Sequence, residues 1–425
     1  MTAILLAAGK GERMWPITST RPKPLVEILC EPLIKYHLEA IAEANIGKVA
    51  VVVHSHEDLI RNKVLEMTKS IGLEVSFIKQ SLPLGTGHAV LEALEKGEIE
   101  GKILVIYGDI FLPPSRLKEA VRNIAGSSSQ VLAAAEVSEV SRYGVLEVDK
   151  NGMLQRIIEK PSNLPAKNRL VNAGIFKLES EYLLPILKNT QISERGEIEV
   201  TSALEQLAKK SELIVSKIEG EWMDVGTPWD LLKANEVSLR EICTLRRVPE
   251  EECILFDEEK ITIEDPVVLR GPVFIRGNVE LGPCSHIREY SIICGENKIG
   301  FSVQIKNSII MRGAKVPHLN YVGDSIIGEG VNLGAGTITA NVRHDGKNVK
   351  SMLRGSIVDT GRRKFGTVIG DWAKTGINTS ILPGVKIGAR AWINAGCIVN
   401  TDVPDNSLLT CEQGRTIIER QADGS

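Results

Sequence analysis

Two aspartates far apart in the chain each stand at the end of an apolar stretch. Asp109 ends ILVIYGD, and Asp224 lies in WMDVGTPWD, ahead of a helical stretch from about Thr227. Packing gives a poor account of a carboxylate at a strand end. Two of them suit one Mg²⁺, which takes one or two carboxylates and completes its shell with phosphate oxygens. The competing account of each is a helix cap. Anion-binding groups stand near the start of the chain, in LAAGKGERMWPITSTRPKP, from Leu6 to Pro24. Gly9 and Gly11 follow an apolar strand, where backbone must come close to a ligand. Arg13 is fixed in charge, and Lys23 can act as a mobile point charge. The loop is neither a dinucleotide fingerprint, since Met14 stands where the third glycine belongs, nor a G-x-x-x-x-G-K-[ST] phosphate loop. A third group is His318, whose imidazole type titrates near neutral pH and can accept a proton from an attacking amine. Taken alone, it is as well explained by a corner histidine bonded to a carbonyl.

The elements that must hold these residues fall into two rhythms. Up to about Leu239, apolar strands alternate with helical stretches: Thr2 to Ala7, Val49 to His54, Glu74 to Lys79 and Ile103 to Asp109, with helices from about Glu57, His88 and Pro114. Such alternation predicts a mainly parallel sheet covered on both faces, with ligands bound at the carboxyl ends of its strands. From about Glu241 to Lys260 the pattern breaks into a charged segment, read as a linker. Then Ile263, Leu269, Ile275, Leu281, Ile287, Ile293, Ile299 and Ile305 recur every six residues. The phase slips near Pro317, resumes at Ile327 and Leu333, and returns after an insertion at Ile369, Ile381, Ile387, Ile393 and Val399, with Thr375 off type. A period of six belongs to a parallel β-helix of hexapeptide repeats, three hexads to a coil. His318 sits where that phase is disturbed. The predicted architecture is a Rossmann-like α/β domain over 1–240, a linker over 241–260, a β-helix over 261–405 and a tail over 406–425.

Composition bounds the function. The chain has 425 residues, a formal net charge of −3 and 4% aromatics, with no global basic excess. Nucleic acid is therefore not the expected partner. No run approaches a membrane span and no signal peptide opens the chain, so no membrane association and a cytoplasmic location are expected. The seven cysteines are odd in number and scattered without a C-x-x-C pair. They are read as reduced, small buried residues.

The opening loop resembles that of sugar nucleotidyltransferases along L-A-A-G-x-G-x-R-M-x-P-x-T-x-x-x-P-K-P. The resemblance implies that Leu6, Ala7, Ala8, Gly9 and Gly11 wrap a nucleoside triphosphate, and that Arg13 and Lys23 are catalytic, neutralising the leaving pyrophosphate. In QSLPLGTGHAV it implies base reading by Gln80, Gly85 and Thr86. In YGVLEVD, IIEKP and NAGIFKL it implies a sugar-phosphate site at Gly144, Glu159, Lys160, Asn172 and Gly174, with Asp109 and Asp224 as the Mg²⁺ ligands. The stretch PHLNYVGDSIIGEGVNLGAGTITANV resembles the acetyltransferase half of the bifunctional glucosamine-1-phosphate N-acetyltransferase/N-acetylglucosamine-1-phosphate uridylyltransferases. That resemblance supplies a left-handed helix and side-by-side homotrimers. It implies His318 as general base and Arg288 and Lys306 as sugar-phosphate clamps. Tyr321, Asn332 and Asn341 would meet the sugar and its reacting amine, and Ala335 and Ala395 would line an acetyl-CoA channel.

Val342 replaces the aromatic that the bacterial pattern has after Asn341, and a long insertion runs from Arg343 to Thr367. The first half also resembles glucose-1-phosphate thymidylyltransferases. Together these features resemble the archaeal type of bifunctional sugar-1-phosphate nucleotidylyltransferase/acetyltransferase. The implied substrates are UTP or dTTP, sugar-1-phosphates and acetyl-CoA. The implied chemistry is acetylation of glucosamine-1-phosphate or galactosamine-1-phosphate, followed by formation of a nucleotide sugar such as UDP-N-acetylglucosamine. One alternative is a monofunctional nucleotidylyltransferase whose β-helix only trimerises or regulates. Another, a translation-factor-like subunit, is opposed by Gly11, Arg13, Lys23, Asp109 and Asp224.

Overall fold

The computed structural model describes residues 1–425 except 55, 162–168, 194, 258–259, 413–414 and 421–425. The chain divides into two compact units. The first comprises Met1–Lys10, Pro22–Leu25 and Pro32–Asp224; the second comprises Gly11–Arg21, Val26–Glu31 and Val225–Ser425.

In the first unit the chain order is β1 (Thr2–Leu6), α1 (Leu33–Glu43), β2 (Lys48–Val53), α2 (Glu57–Thr68), β3 (Glu74–Lys79), α3 (Thr86–Lys96), β4 (Lys102–Tyr107), β5 (Ile110–Phe111) and α4 (Pro114–Gly126). Next come β6 (Val131–Glu136), β7 (Gly144–Val148), β8 (Leu154–Glu159), β9 (Leu170–Glu179), α5 (Ser180–Asn189), α6 (Val200–Ala208), β10 (Ile214–Lys217) and β11 (Met223–Asp224). The main sheet runs β8-β7-β9-β4-β1-β2-β3, with β6 and β10 joined through β9. β1 pairs in parallel with both β2 and β4. Alternate side chains of a strand face opposite sides, and both sides are covered here. Ala3 and Leu5 pack in a core with Leu38, Val64 and Val121 of α1, α2 and α4. Ile4 packs in the opposite core with Val90, Leu183 and Leu204 of α3, α5 and α6. This is why the strands read as continuous apolar runs.

In the second unit the hexads build three parallel sheets. The first face runs from Ile254–Asp257 through Val273–Arg276, Ser291–Cys294, Ile309–Ile310, Ile326–Ile327 and Val368–Ile369 to Lys386–Ile387. The second includes Asn297–Phe301, Lys315–His318, Asn332–Leu333, Lys374–Thr375 and Trp392–Ile393. The third includes His286–Ile287, Gln304–Lys306, Tyr321–Gly323, Ile338–Thr339, Ser380–Ile381 and Ile398–Val399. This is a parallel β-helix, consistent with the left-handed class that hexads specify. The repeat residues Ile275, Ile293, Ile305, Leu333 and Ile387 are fully buried inside it.

The phase does not slip at Pro317. Ile275 pairs with Ile293, eighteen positions on. Ile293 pairs with Ile310 and Ile310 with Ile327, each seventeen on. The missing residues are lost at the corners after Lys306 and after Gly323. Asn307 and Asp324 turn those corners with φ of 45° and 49°, and the Asn307 amide donates to Asp324 at 2.7 Å.

The segment expected as a linker is built into the second unit. The helix α7 (Pro228–Arg246) starts with an N-cap in which Thr227 Oγ1 accepts the Asp230 N–H, and it runs past residue 240. Ile254–Asp257 then begins the first face. The tail is also ordered in part: Ser407–Glu412 joins the second face and pairs with Arg415–Arg420, while 421–425 lie outside the described residues.

Six of the seven cysteines are not reduced thiols. Cys30–Cys294, Cys243–Cys253 and Cys397–Cys411 form disulfides, and Cys284 is free and exposed. Spacing could not show this, because the first pair is 264 residues apart in sequence.

Gly11–Arg21 is fastened to the coils of the second unit. Arg21 donates to Asp371 at 2.6 Å and to Glu329 at 3.1 Å, and the Thr20 hydroxyl also donates to Asp371. Ser19 and Trp15 donate to Asp405 at 2.8 and 3.2 Å. The Lys386 ammonium lies over the Trp15 ring, 5.0 Å from its centroid.

Two candidate active sites

The first site forms where β1 and β4 end. Leu6 lies opposite Tyr107, so Ala7, Ala8 and Gly9 continue one strand while Gly108 and Asp109 continue its neighbour. Only glycine fits at 108, since a Cβ there would stand 2.5 Å from the Leu6 carbonyl oxygen. Lys23 is buried, and its Nζ donates to Asp109 at 2.7 Å. The two-stranded ribbon of β5 and β11 sets Asp224 opposite Ile110, the residue after Asp109. The Tyr143 hydroxyl and the Arg142 guanidinium donate to Asp224 at 2.7 and 3.2 Å.

Both carboxylates are thus held by a cation. Among the described residues no group of three or more His, Cys, Asp or Glu side chains forms a metal cage. Two carboxylates at neighbouring ribbon positions suit Mg²⁺ whose other ligands are phosphate oxygens.

Thr86, Glu159, Asn172 and Gly174 lie around Tyr107. Its hydroxyl bonds to the Thr86 and Asn172 side chains. Burial, reinforced by the Glu159 charge, pushes its pKa well above the usual phenol range. Gly144 and Glu159 are cross-strand partners on β7 and β8, and the Lys160 N–H donates to the Tyr143 carbonyl at 3.0 Å. The register of β9 shifts between Asn172 and Phe176. Within that irregular stretch Gly174 has φ +74°, and a Cβ on it would stand 2.8 Å from the Tyr107 ring. Gln80 is buried and donates to the Gly85 carbonyl at 3.1 Å. Gly11 and Arg13 lie in the second unit, at the left-handed cap and within the 3₁₀ turn Glu12–Met14.

Sequence reasoning missed Tyr107, Arg142, Tyr143 and Glu199. The tyrosines stood inside YGDI and YGVLEVD, beside residues already selected. Glu199 caps α6. Burial, then the Glu159 charge, raises its pKa, and no motif signalled it.

The second site lies on the β-helix. His318 is exposed at the corner between the second and third faces, and its backbone N–H donates to Asn320 Oδ1 at 3.2 Å. The same corner recurs in successive coils. Gly336 N–H bonds the His318 carbonyl, Asn378 N–H the Ala335 carbonyl and Gly396 N–H the Ile377 carbonyl. His318, Ala335 and Ala395 therefore share one corner column. Tyr321 begins the strand after the His318 corner, and Asp324 closes it. Asn341 Nδ2 donates to the Tyr321 hydroxyl at 3.2 Å and to Asp324 at 2.5 Å. Lys306 Nζ lies 3.8 Å from both Asp324 and Glu289, and Arg288 pairs with Glu289 at 3.2 Å. Burial raises the pKa of the Tyr321 phenol, although its bond to Asn341 opposes this. Asn332 stands apart from this network, opposite Lys315 and Lys374 on the second face.

Residues 2–241 match the family described as Nucleotidyl transferase, and residues 269–359 match the GMPPB C-terminal domain. A bifunctional sugar-1-phosphate nucleotidylyltransferase/acetyltransferase of Sulfurisphaera tokodaii is 42% identical over 95% of this chain and 98% of its own length. The bifunctional protein GlmU of Methanocaldococcus jannaschii is 37% identical over 96% of this chain and 97% of its own. The crystal structure of a UDP-glucose pyrophosphorylase complexed with UDP-glucose is 26% identical, with a TM-score of 0.51, and covers 56% of this chain and 98% of that one. Relatives that span both units carry bifunctional names, so the monofunctional alternative is not favoured. With two constellations of this kind on one chain, it belongs to the family of bifunctional sugar-1-phosphate nucleotidylyltransferase/acetyltransferases.

Proposed function

We propose that the chain N-acetylates glucosamine-1-phosphate or galactosamine-1-phosphate and then joins a sugar-1-phosphate to a nucleotide from UTP or dTTP. The products are CoA, pyrophosphate and a nucleotide sugar such as UDP-N-acetylglucosamine. In this reading residues 1–240 carry nucleotidyl transfer and 261–405 carry acetyl transfer. The observation that carries it is the pairing, on one chain, of the Asp109–Asp224 ribbon with the Lys306–Asp324–Asn341–Tyr321 network beside His318.

For nucleotidyl transfer, a phosphate oxygen of the sugar-1-phosphate attacks the α-phosphorus. The bond to the bridging oxygen breaks and pyrophosphate leaves. Positioning and charge neutralisation carry such a step. Asp109 and Asp224 would hold Mg²⁺, which supplies positive charge to the phosphates. Lys23 rests on Asp109 and would turn to the pyrophosphate, as would Arg13. Leu6 to Gly9 and Gly11 face the phosphates, and Gln80, Gly85 and Thr86 face the base. The group around Tyr107, with Gly144, Glu159, Lys160, Asn172 and Gly174, takes the sugar phosphate.

For acetyl transfer, the sugar amine attacks the thioester carbonyl while His318 takes its proton. The tetrahedral intermediate expels the CoA thiolate. Asn341, held by Tyr321 and Asp324, orients the amine. Arg288 and Lys306 meet the acceptor's phosphate, Asn332 its sugar, and Ala335 and Ala395 line the path of acetyl-CoA.

A homotrimer completes the reading. Its support is the outward side of the third face, where Val268, Ile338 and Ile398 are 55%, 39% and 61% exposed. A cytoplasmic location accords with the substrates, and among the described residues no helix is long and apolar enough to cross a membrane. Internal disulfides do occur in intracellular proteins of hyperthermophiles.

The test supplies glucosamine-1-phosphate, acetyl-CoA, UTP and Mg²⁺, and measures thiol and pyrophosphate separately. His318→Ala should slow thiol release about 10²–10⁴-fold, the usual worth of a positioned base, and spare pyrophosphate release from supplied N-acetylglucosamine-1-phosphate. Asp224→Asn should do the reverse. A wild type that releases no thiol with either amino sugar would remove the acetyl-transfer half.

A further inference from the structure

The insertion 343–367 brings positive charge to the second site. A cleft of about 380 Å³ in the second unit is lined by Lys306 and by Arg362, Arg363 and Lys364. The acids on its wall have partners, except that Glu289 Oε2 is buried without one. Asp324 takes the Asn307 and Asn341 amides, Glu289 pairs with Arg288, and Glu236 pairs with Arg240 at 2.6 Å. Among the described residues neither Arg363 nor Lys364 pairs with a carboxylate, and both are exposed. The Arg288 Nε, beside the cleft, is buried without a hydrogen-bond partner.

The backbone fixes these cations beside the acetyl-transfer residues. Lys364 bridges Val342 in antiparallel fashion, and the Phe365 N–H donates to the Asn341 carbonyl at 3.0 Å. Phe365 is fully buried, edge-on to the Trp229 ring at 5.7 Å. The Arg362 carbonyl accepts the Val349 N–H at 2.8 Å. The cleft also opens at the two shortened corners, Asn307 and Asp324, where the solenoid departs from its own period.

We propose that Arg363 and Lys364, with Arg362 behind them, bind the phosphate of the acetyl acceptor and confine acetyl transfer to phosphorylated amino sugars. The proposal rests on the acetyl-transfer reading above. The direction of the site selects the acceptor rather than CoA. His318, Ala335 and Ala395 share one corner column, and the cleft lies at the far end of the strand Tyr321–Gly323. That is about 10 Å away at 3.3 Å per residue, a gap that a hexosamine phosphate and the flanking side chains span. A phosphate monoester also offers the oxygens that a guanidinium fork grips in pairs.

The test is the double variant Arg363→Ala/Lys364→Ala, chosen because both side chains are exposed; it also gives up the 3.1 Å bond from Arg363 Nε to the Gly346 carbonyl. Loss of charge-assisted bonds to phosphate should raise the KM for glucosamine-1-phosphate about 10- to 100-fold. The KM for acetyl-CoA and the kcat should change less than about twofold, since neither residue reaches the thioester. A second readout needs no turnover: hydrogen exchange in the peptide spanning 356–368 should slow when glucosamine-1-phosphate is added to the wild type, and not in the variant. An unchanged KM with unchanged exchange overturns the proposal. A raised KM for acetyl-CoA instead assigns the cations to CoA phosphates and also overturns it. Exchange protection in a wild type that releases no thiol upholds the phosphate site while removing the acetyl-transfer reading.

Discussion

The Arg21–Asp371 pair lends itself to a quantitative test. The Arg21 side chain is 11% exposed and that of Asp371 is 1% exposed. The Asp371 Oδ2 accepts from both Arg21 and Thr20, while its Oδ1 accepts the Glu329 N–H at 2.8 Å. In Asp371→Asn the carbonyl can keep the Glu329 bond, and the amide NH₂ then faces the Arg21 guanidinium, which can only donate, while the Thr20 hydroxyl can turn to accept. Removing one member of a buried pair costs about 3–5 kcal/mol. Glu329 remains at 3.1 Å but is 41% exposed, so the lower end, about 3 kcal/mol, is the expected loss. If it falls on the docking of Gly11–Arg21, amide exchange in a peptide covering 11–21 should quicken about 100-fold, at 1.4 kcal/mol per tenfold. If Gly11 and Arg13 serve nucleotidyl transfer as proposed above, pyrophosphate release should fall, and thiol release should hold. Arg21→Met together with Asp371→Leu should recover part of the slow exchange, because the buried carboxylate at 371 goes with its cation, although Glu27, 3.9 Å from Arg21, loses its partner. Unchanged exchange over 11–21 in Asp371→Asn would refute the account.

Two further outcomes follow from the first unit. His37 is fully buried with Nε2 3.0 Å from the Ile110 carbonyl, and burial lowers its pKa to about 4. A base depressed in the folded state contributes stability that is complete above its unfolded value near 6.5 and lost as pH falls towards 4, a swing of about 3 kcal/mol. Urea midpoints measured from pH 7 to pH 4 should fall accordingly and flatten in His37→Gln, and a wild-type curve no steeper than the variant's would contradict this. Gly174→Ala must place a Cβ at φ +74° and 2.8 Å from the Tyr107 ring, a strain of about 1–2 kcal/mol before any clash. It should lower pyrophosphate release at least tenfold and leave thiol release intact, and equal loss of both activities would point to general unfolding instead.

Local patterns were legible wherever one residue type answers to one geometry. From Ile275 onward the hexad aliphatics are buried because a triangular coil has one inward position per side, whereas Ile263 is 42% exposed, and the apolar runs of β1, β2 and β4 announce a sheet covered on both faces. Asp109 and Asp224 could be selected because polar groups at strand ends need a reason. Their partners could not. That Lys23 rests on Asp109, and Tyr143 and Arg142 on Asp224, is settled by tertiary contacts between distant segments, which no spacing encodes. The shortened corners at Asn307 and Asp324 looked like a slip at Pro317, since the count alone cannot say which corner lost a residue. The linker reading of 241–260 failed because charged residues on the exposed side of α7 hide a helix that continues past 240. The disulfides were invisible too: Cys30–Cys294 joins positions 264 apart, and the separations of 10 and 14 in Cys243–Cys253 and Cys397–Cys411 carry no pairing signal.

The bonds from Trp15 and Ser19 to Asp405 have a consequence for the order in which the protein is made. Synthesis proceeds at roughly 5–20 residues per second, and domains ordinarily fold as they emerge. Here the groups that receive residues 15 and 19 lie some 390 positions downstream. On the ribosome, Gly11–Arg21 therefore waits roughly 20–80 s for its berth, with Asp371 reaching it shortly before Asp405. A nascent chain can close the sheet of β1 to β4 long before that, but it does so with its signature loop undocked. Release of the carboxyl-terminal coils, rather than completion of the first sheet, is the event that lets the amino-terminal loop take its final place.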